Sequence, residues 1–215
     1  MAIQAGGDAG ADKGRQSGRR SQQERTETSD QRMLDAARDM ILAVGTQRTT
    51  LKEVGERAGY SRGLANARFG SKDQLFLRLA DRARQYWITA LEDSQGSTNG
   101  LAALISRLDA IVGFAEAQPA EARVMYTLWF ESVGTPSPIN ASLARFHEQA
   151  RADIADLARA AGLARSEDEA GRFATRFIGT VFGLCYQWLV NEEAVDIASH
   201  MDDLKRDLLD RAGRS

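Results

Sequence analysis

The chain has 215 residues, long enough for a small domain joined to a larger one, and 43% of them are hydrophobic, so a core can form. No apolar run approaches the roughly 18 residues of a membrane-spanning helix, and no apolar leader stands at the N-terminus, so the expected location is the cytoplasm. The net charge of −2 hides a division: residues 1–85 hold 16 Lys and Arg against 11 Asp and Glu, and residues 86–215 hold 12 against 19. A basic first part on an acidic body is the asymmetry expected when one end meets phosphate.

Residues 1–28 carry Gly, Gln, Ser and charges with almost nothing apolar, which predicts a disordered tail. Arg15, Arg19, Arg20 and Arg25 would suit either a minor-groove arm or a solvated tail. A first helix is expected over 30–44, with Leu34, Ala37, Ile41 and Val44 on one stripe and Gly45 as its stop. Helices over 51–58 and 62–68 follow, then a long one from Ser71 to about residue 94. Beyond SQGSTNG the apolar spacing stays helical, over 101–117, 120–133, 138–161, 166–190 and 194–212, with breaks at Pro119, GTPSP and Gly162. The expected organisation is a tail over 1–28, a small domain over 29–76 and a larger helical domain over 77–215.

The stretch TTLKEVGERAGYSRGLANARFGSKDQL, residues 49–75, carries the most information. Thr50 with Glu53 and Ser71 with Gln74 fit capping boxes, Ser61 opens the helix between them, and Gly59 supplies the left-handed stop before it. Two short helices around a tight glycine turn form a helix-turn-helix, which presents the start of its second helix to the DNA major groove. RGLANAR, residues 62–68, buries little beyond Leu64 and Ala65; Gly63 and Ala67 permit close approach, Arg62 and Arg68 suit phosphates or guanine edges, and Asn66 suits adenine or phosphate.

On these residues the chain resembles the TetR family of bacterial repressors. The resemblance runs through Thr49–Thr50 and then Ala58 to Leu75, with Ala58–Gly59–Tyr60–Ser61, Gly63, Phe69 and Lys72–Asp73 in the family's order. It departs at Asn66, where an aromatic is usual, at Arg68, where His or Tyr is frequent, and at Leu64, where Thr is common. The resemblance implies an all-α chain: an N-terminal three-helix helix-turn-helix DNA-binding domain followed by a helical ligand-binding and dimerisation domain. It implies that Arg62, Gly63 and Leu64 meet bases, with Ser61 opening their helix. Thr50, Lys52, Tyr60, Asn66, Arg68 and Lys72 would grip phosphates, Lys72 at a helix N-terminus already suited to an anion. The partners implied are a double-stranded palindromic operator and a second copy of the chain.

In the C-terminal half, 166–190 is apolar on most sides, which predicts burial between its own domain and a second subunit. Phe182, Gly183 and Trp188 are the expected interface residues. Phe114, Met125, Trp129, Phe146 and Phe177 are the expected lining of a pocket for a small apolar or amphipathic effector, although aromatics at helical spacing equally describe an ordinary core. Glu131 reads as a pocket group or as surface. Cys185, in FGLCYQW, reads as a small buried hydrophobe. His147 and His200 stand far apart with no cysteine partners, so no metal site is expected, and no cofactor. Two other classes compete. An enzyme would need a nucleophile elbow, P-loop, HExxH or CxxC, and none occurs. A helical adaptor would leave the charge division and the arginines of 62–68 without a purpose.

Overall fold

The computed structural model describes residues 11–93, 100–134 and 136–213; the side chains of 11–21 and Asp93 lie outside the description. Among the described residues there are nine helices and no strand: α1 (Ala11–Arg48), α2 (Leu51–Arg57), α3 (Arg62–Phe69), α4 (Lys72–Asp93), α5 (Gly100–Ala117), α6 (Pro119–Ser132), α7 (Pro138–Ala160), α8 (Glu167–Val190) and α9 (Ile197–Ala212). The chain divides into two compact units between Ser71 and Lys72, five residues before the expected boundary.

In the first unit α1 begins at Ala11, inside the stretch whose composition predicts disorder. Residues 1–10, and the side chains of Arg15, Arg19 and Arg20, lie outside the described residues. Poor apolar content argues against a packed core but not against a helix. Gln, Arg and Glu are good helix formers, and the extension carries local pairs such as Gln23 to Glu27 at 3.1 Å. From Ser29 onward one stripe of α1 is buried, with Met33, Leu34, Ala37, Met40 and Ile41 each under 10% exposed. Gly45 breaks the helix at φ 80°, where glycine meets no Cβ penalty. Val54, Ala65 and Phe69 complete this small core.

The second unit is a six-helix bundle. Two members are the most connected: α5 touches α4, α6, α7 and α9, and α7 touches α4, α5, α6 and α8. In α5, Ala103, Leu104, Leu108, Ala110, Phe114 and Ala115 are buried, and the alanines let neighbours come close. Serine caps open α7 and α8: Ser137 accepts from the Asn140 N–H at 3.1 Å and Ser166 from the Glu169 N–H at 3.2 Å. The Glu169 carboxylate reaches back to the N–H of Arg165 at 2.9 Å, one residue before the position a capping box would use. A buried ion pair, Arg82 to Glu121 at 2.6 Å, ties α4 to the first turn of α6. Lys205 ties α9 to α5 through Asp109.

Candidate nucleic-acid interface and internal cavity

The turn between α2 and α3 is built by backbone bonds and two caps. Thr50 accepts from the Glu53 N–H at 3.3 Å and donates its hydroxyl to the Glu53 carboxylate at 2.7 Å. The Tyr60 N–H reaches the Gly55 carbonyl at 2.8 Å across Gly59, whose φ is 80°. Ser61 accepts from the Leu64 N–H at 3.2 Å and starts α3. What sets the approach of the two helices is Gly55, which the sequence reading passed over. A Cβ there would lie 3.1 Å from the Ser61 carbonyl oxygen and 3.2 Å from the Ala65 Cβ. A glycine inside a seven-residue helix, followed by a helix with Ala at 65, was the available signal.

The start of α3 is open. Ser61, Arg62, Gly63, Asn66 and Ala67 are exposed, and Leu64 is half-buried against the turn. A Cβ on Gly63 would meet only the Ser61 hydroxyl, at 3.8 Å. Among the described residues Arg62 forms no ion pair. Lys52, the second residue of α2, is exposed and lies 3.9 Å from Glu56. Thr50 caps the start of α2, and Tyr60 lies in the turn between α2 and α3.

Arg68, also exposed, has partners within the chain. Its Nη2 donates to Thr26 Oγ1 at 3.0 Å and its Nε lies 3.5 Å from Asp30, so the guanidinium reaches back to α1. Its position in the last turn of α3 lets the side chain reach α1. Lys72 opens α4 in the second unit, with Nζ 5.4 Å from the Phe76 ring centre.

In the second unit Phe114, Met125, Trp129 and Phe146 come together around an apolar cleft of about 70 Å³. Phe182, expected at a subunit interface, lines it too: its ring stacks on Trp129 at 5.7 Å and lies 5.3 Å from Tyr126. Trp188, expected at the same interface, is half-buried and also faces the cleft. Helix α8 turns a different side outward, through Gly179, Gly183, Tyr186 and Val190. Phe182 and Gly183 are adjacent, and the 100° between consecutive helix positions puts Phe182 at the cleft and Gly183 at the open side. Cys185 is 4% exposed; burial raises its thiol pKa, a shift opposed by a hydrogen bond with Tyr126. Glu131 is exposed.

Beside the cleft is a larger cavity of about 490 Å³ between α4, α5, α7 and α8, lined in part by Phe146 and Phe177. Arg84, Arg107, Arg145 and His147 line it as well, and the sequence reading named only the histidine, without assigning it to a pocket. Arg107 was findable: it shares a helical stripe with Ile111 and Phe114 in a largely apolar helix. Burial lowers the His147 pKa below its ordinary 6.5, and Arg151 lowers it further.

Among the described residues no helix is long and apolar enough to cross a membrane, and no three His, Cys, Asp or Glu side chains converge as metal ligands.

Residues 33–79 match the bacterial regulatory proteins of the tetR family. No curated protein matches the chain. Solved structures match it in fold. The fatty acid degradation regulator FadR from Bacillus halodurans has a TM-score of 0.69 at 15% identity, over 84% of this chain and 94% of that one. The transcriptional regulator FadR from Bacillus subtilis, solved in complex with stearoyl-CoA, has 0.67 at 15%, over 83% and 96%. SmeT, the repressor of the Stenotrophomonas maltophilia multidrug efflux pump SmeDEF, has 0.62 at 19%, over 79% and 83%. The segment that matches the family is the three-helix unit with its open recognition helix and the beginning of α4, so the chain carries the DNA-binding segment of the tetR family and shares the fold of these solved regulators.

Proposed function

We propose that the protein is a ligand-responsive repressor that acts in the cytoplasm and binds a palindromic operator as a homodimer. The observation that carries the DNA-binding part is Arg62: it stands exposed and without an ion pair at the start of α3, beside a glycine with open space around it. A guanidinium there can meet a guanine edge in two parallel hydrogen bonds while Gly63 lets the backbone come close. Gly63 and Leu64 continue the base-facing edge. Thr50, Lys52, Tyr60, Asn66 and Lys72 supply phosphate contacts, and Arg68 holds α3 against α1.

Dimerisation is assigned to the outward side of α8, where Gly183, Tyr186 and Val190 present small and apolar surface, with Phe130 against Tyr186 at 5.3 Å. Effector binding is assigned to the cleft and cavity of the second bundle. The Bacillus subtilis regulator of similar fold was solved in complex with stearoyl-CoA, which supports a small-molecule effector for this chain. An effector changes DNA affinity only if it prefers a conformer in which the two recognition helices no longer match successive grooves.

DNA fragments selected by the purified protein give the operator. Arg62→Ala is expected to cost about 1–3 kcal/mol on that operator and to relax preference at one position of each half-site. Lys52→Ala is expected to weaken all sequences alike and to reduce the salt slope by about one. The opposite pattern in measured affinities would exchange the two roles, and selection of no common sequence would remove the operator reading.

A further inference from the structure

The larger cavity of the second bundle has lining residues of two kinds. Trp87, Ile111, Phe177, Val181 and Phe182 are its apolar lining, and several of these residues also line the aromatic cleft. Arg84, Arg107 and Arg145 line it too, against a single lining carboxylate, Asp153, which already accepts from Gln149 at 2.8 Å. Arg84 is paired with Asp81 at 3.2 Å. Among the described residues neither Arg107 nor Arg145 has a carboxylate within the 4.0 Å of an ion pair. Arg107 is half-buried, and this burial lowers its pKa, which Asp153 only partly offsets. Removing a guanidinium from water without a close counter-charge is unfavourable, and an anion entering the cavity would supply the missing partner. At about 490 Å³ the space falls within the range of small-molecule sites, roughly 300–1,000 Å³.

We propose that this cavity takes a single-chain amphiphile with an anionic head, the head held by Arg107 and Arg145 and the chain laid along Trp87, Ile111 and Phe182 toward the aromatic cleft. The head is a carboxylate or a phosphate, since a guanidinium fork matches both. The proposal rests on reading the second bundle as the effector site and adds the class of ligand. It explains why an apolar pocket lies beside a set of arginines, which a purely hydrophobic effector would leave desolvated.

The test uses the full-length protein and three probes, dodecanoate, dodecyl phosphate and 1-dodecanol, titrated by calorimetry below their aggregation concentrations. One or both anions should bind about tenfold or more tightly than the alcohol, the scale of charge-assisted hydrogen bonds. The tighter of the two identifies the head. Arg107→Gln and Arg145→Gln should each weaken the anion about tenfold and leave the alcohol unchanged, and Arg107→Lys should keep part of the preference. Arg145 is exposed, so its variant remains informative if Arg107→Gln fails to fold. Equal binding of alcohol and anions, unchanged anion affinity in the glutamine variants, or no binding by any probe would overturn the inference. Anion binding that leaves operator affinity unchanged would uphold the ligand class and sink the effector reading instead.

Discussion

Two glycines of the DNA-binding unit look alike in sequence and differ in what surrounds them. Gly55 faces backbone and a Cβ at 3.1 and 3.2 Å, neither of which can swing away, whereas Gly63 faces open space. Gly55→Val should therefore destabilise the protein by about 1–3 kcal/mol through overpacking, read from thermal or denaturant unfolding. Gly63→Ala should keep or raise stability, by up to about 1 kcal/mol from helix propensity, yet weaken operator binding. Since nothing in the free chain opposes that methyl, the loss would report the closeness of DNA; undiminished affinity would place α3 farther from the groove. Arg68 gives a second contrast. As a tie to Thr26 and Asp30 it should leave the salt slope of DNA binding unchanged in Arg68→Ala while lowering stability. A slope reduced by about one would return Arg68 to the phosphates.

Among the helices, the apolar sequence of α8 predicts burial between its own domain and a second subunit, and within the bundle α8 packs chiefly against α7 and α9, whereas α5 and α7 each meet four helices. The reason is bulk. Helix α5 intersperses alanines with Leu and Ile and admits four neighbours. Helix α8 carries Phe173, Phe177 and Phe182 on its inner side and turns Gly179 and Gly183 outward. Apolar content fixes that a helix is buried somewhere; side-chain size decides how many partners fit around it. The pair Arg82–Glu121 was equally hidden, because neither residue breaks the helical pattern that contains it. Its side chains are 8% and 2% exposed, so Glu121→Leu would leave a buried cation. Loss of about 3–5 kcal/mol is expected, measured by denaturant unfolding. A change within about 0.5 kcal/mol would mean that water reaches the pair.

For the whole molecule the remaining open surface of α8 is the strongest pointer to assembly. A Cβ at Gly183 meets nothing within 4 Å inside the chain, so Gly183→Leu should not disturb the fold. If this face meets a second copy, sedimentation should show the variant shifted toward monomer at micromolar concentration, with operator binding lost in step. Phe182→Glu is the poorer test, because its ring belongs to the internal stack with Trp129. A wild-type protein that sediments as a monomer would remove the dimer from the proposal.

Local chemistry was enough to reveal the helix-turn-helix. Its signals are short-range: a cap three residues before the N–H it binds, a glycine where φ must be positive, and small or cationic residues where a helix must stay exposed. They survive without knowledge of the rest of the chain, as the caps at Thr50 and Ser61 and the turn at Gly59 demonstrate. The helical class of the larger unit was legible for the same reason, since period and stop signals are local. Which faces meet was not. Phe182 and Gly183 are neighbours in sequence and point different ways, Arg68 finds its partners some forty residues earlier, and Arg84, Arg107 and Arg145 converge from three helices. Each of these depends on the packing angle between helices, which is set by the sum of many side-chain volumes and not by any one motif.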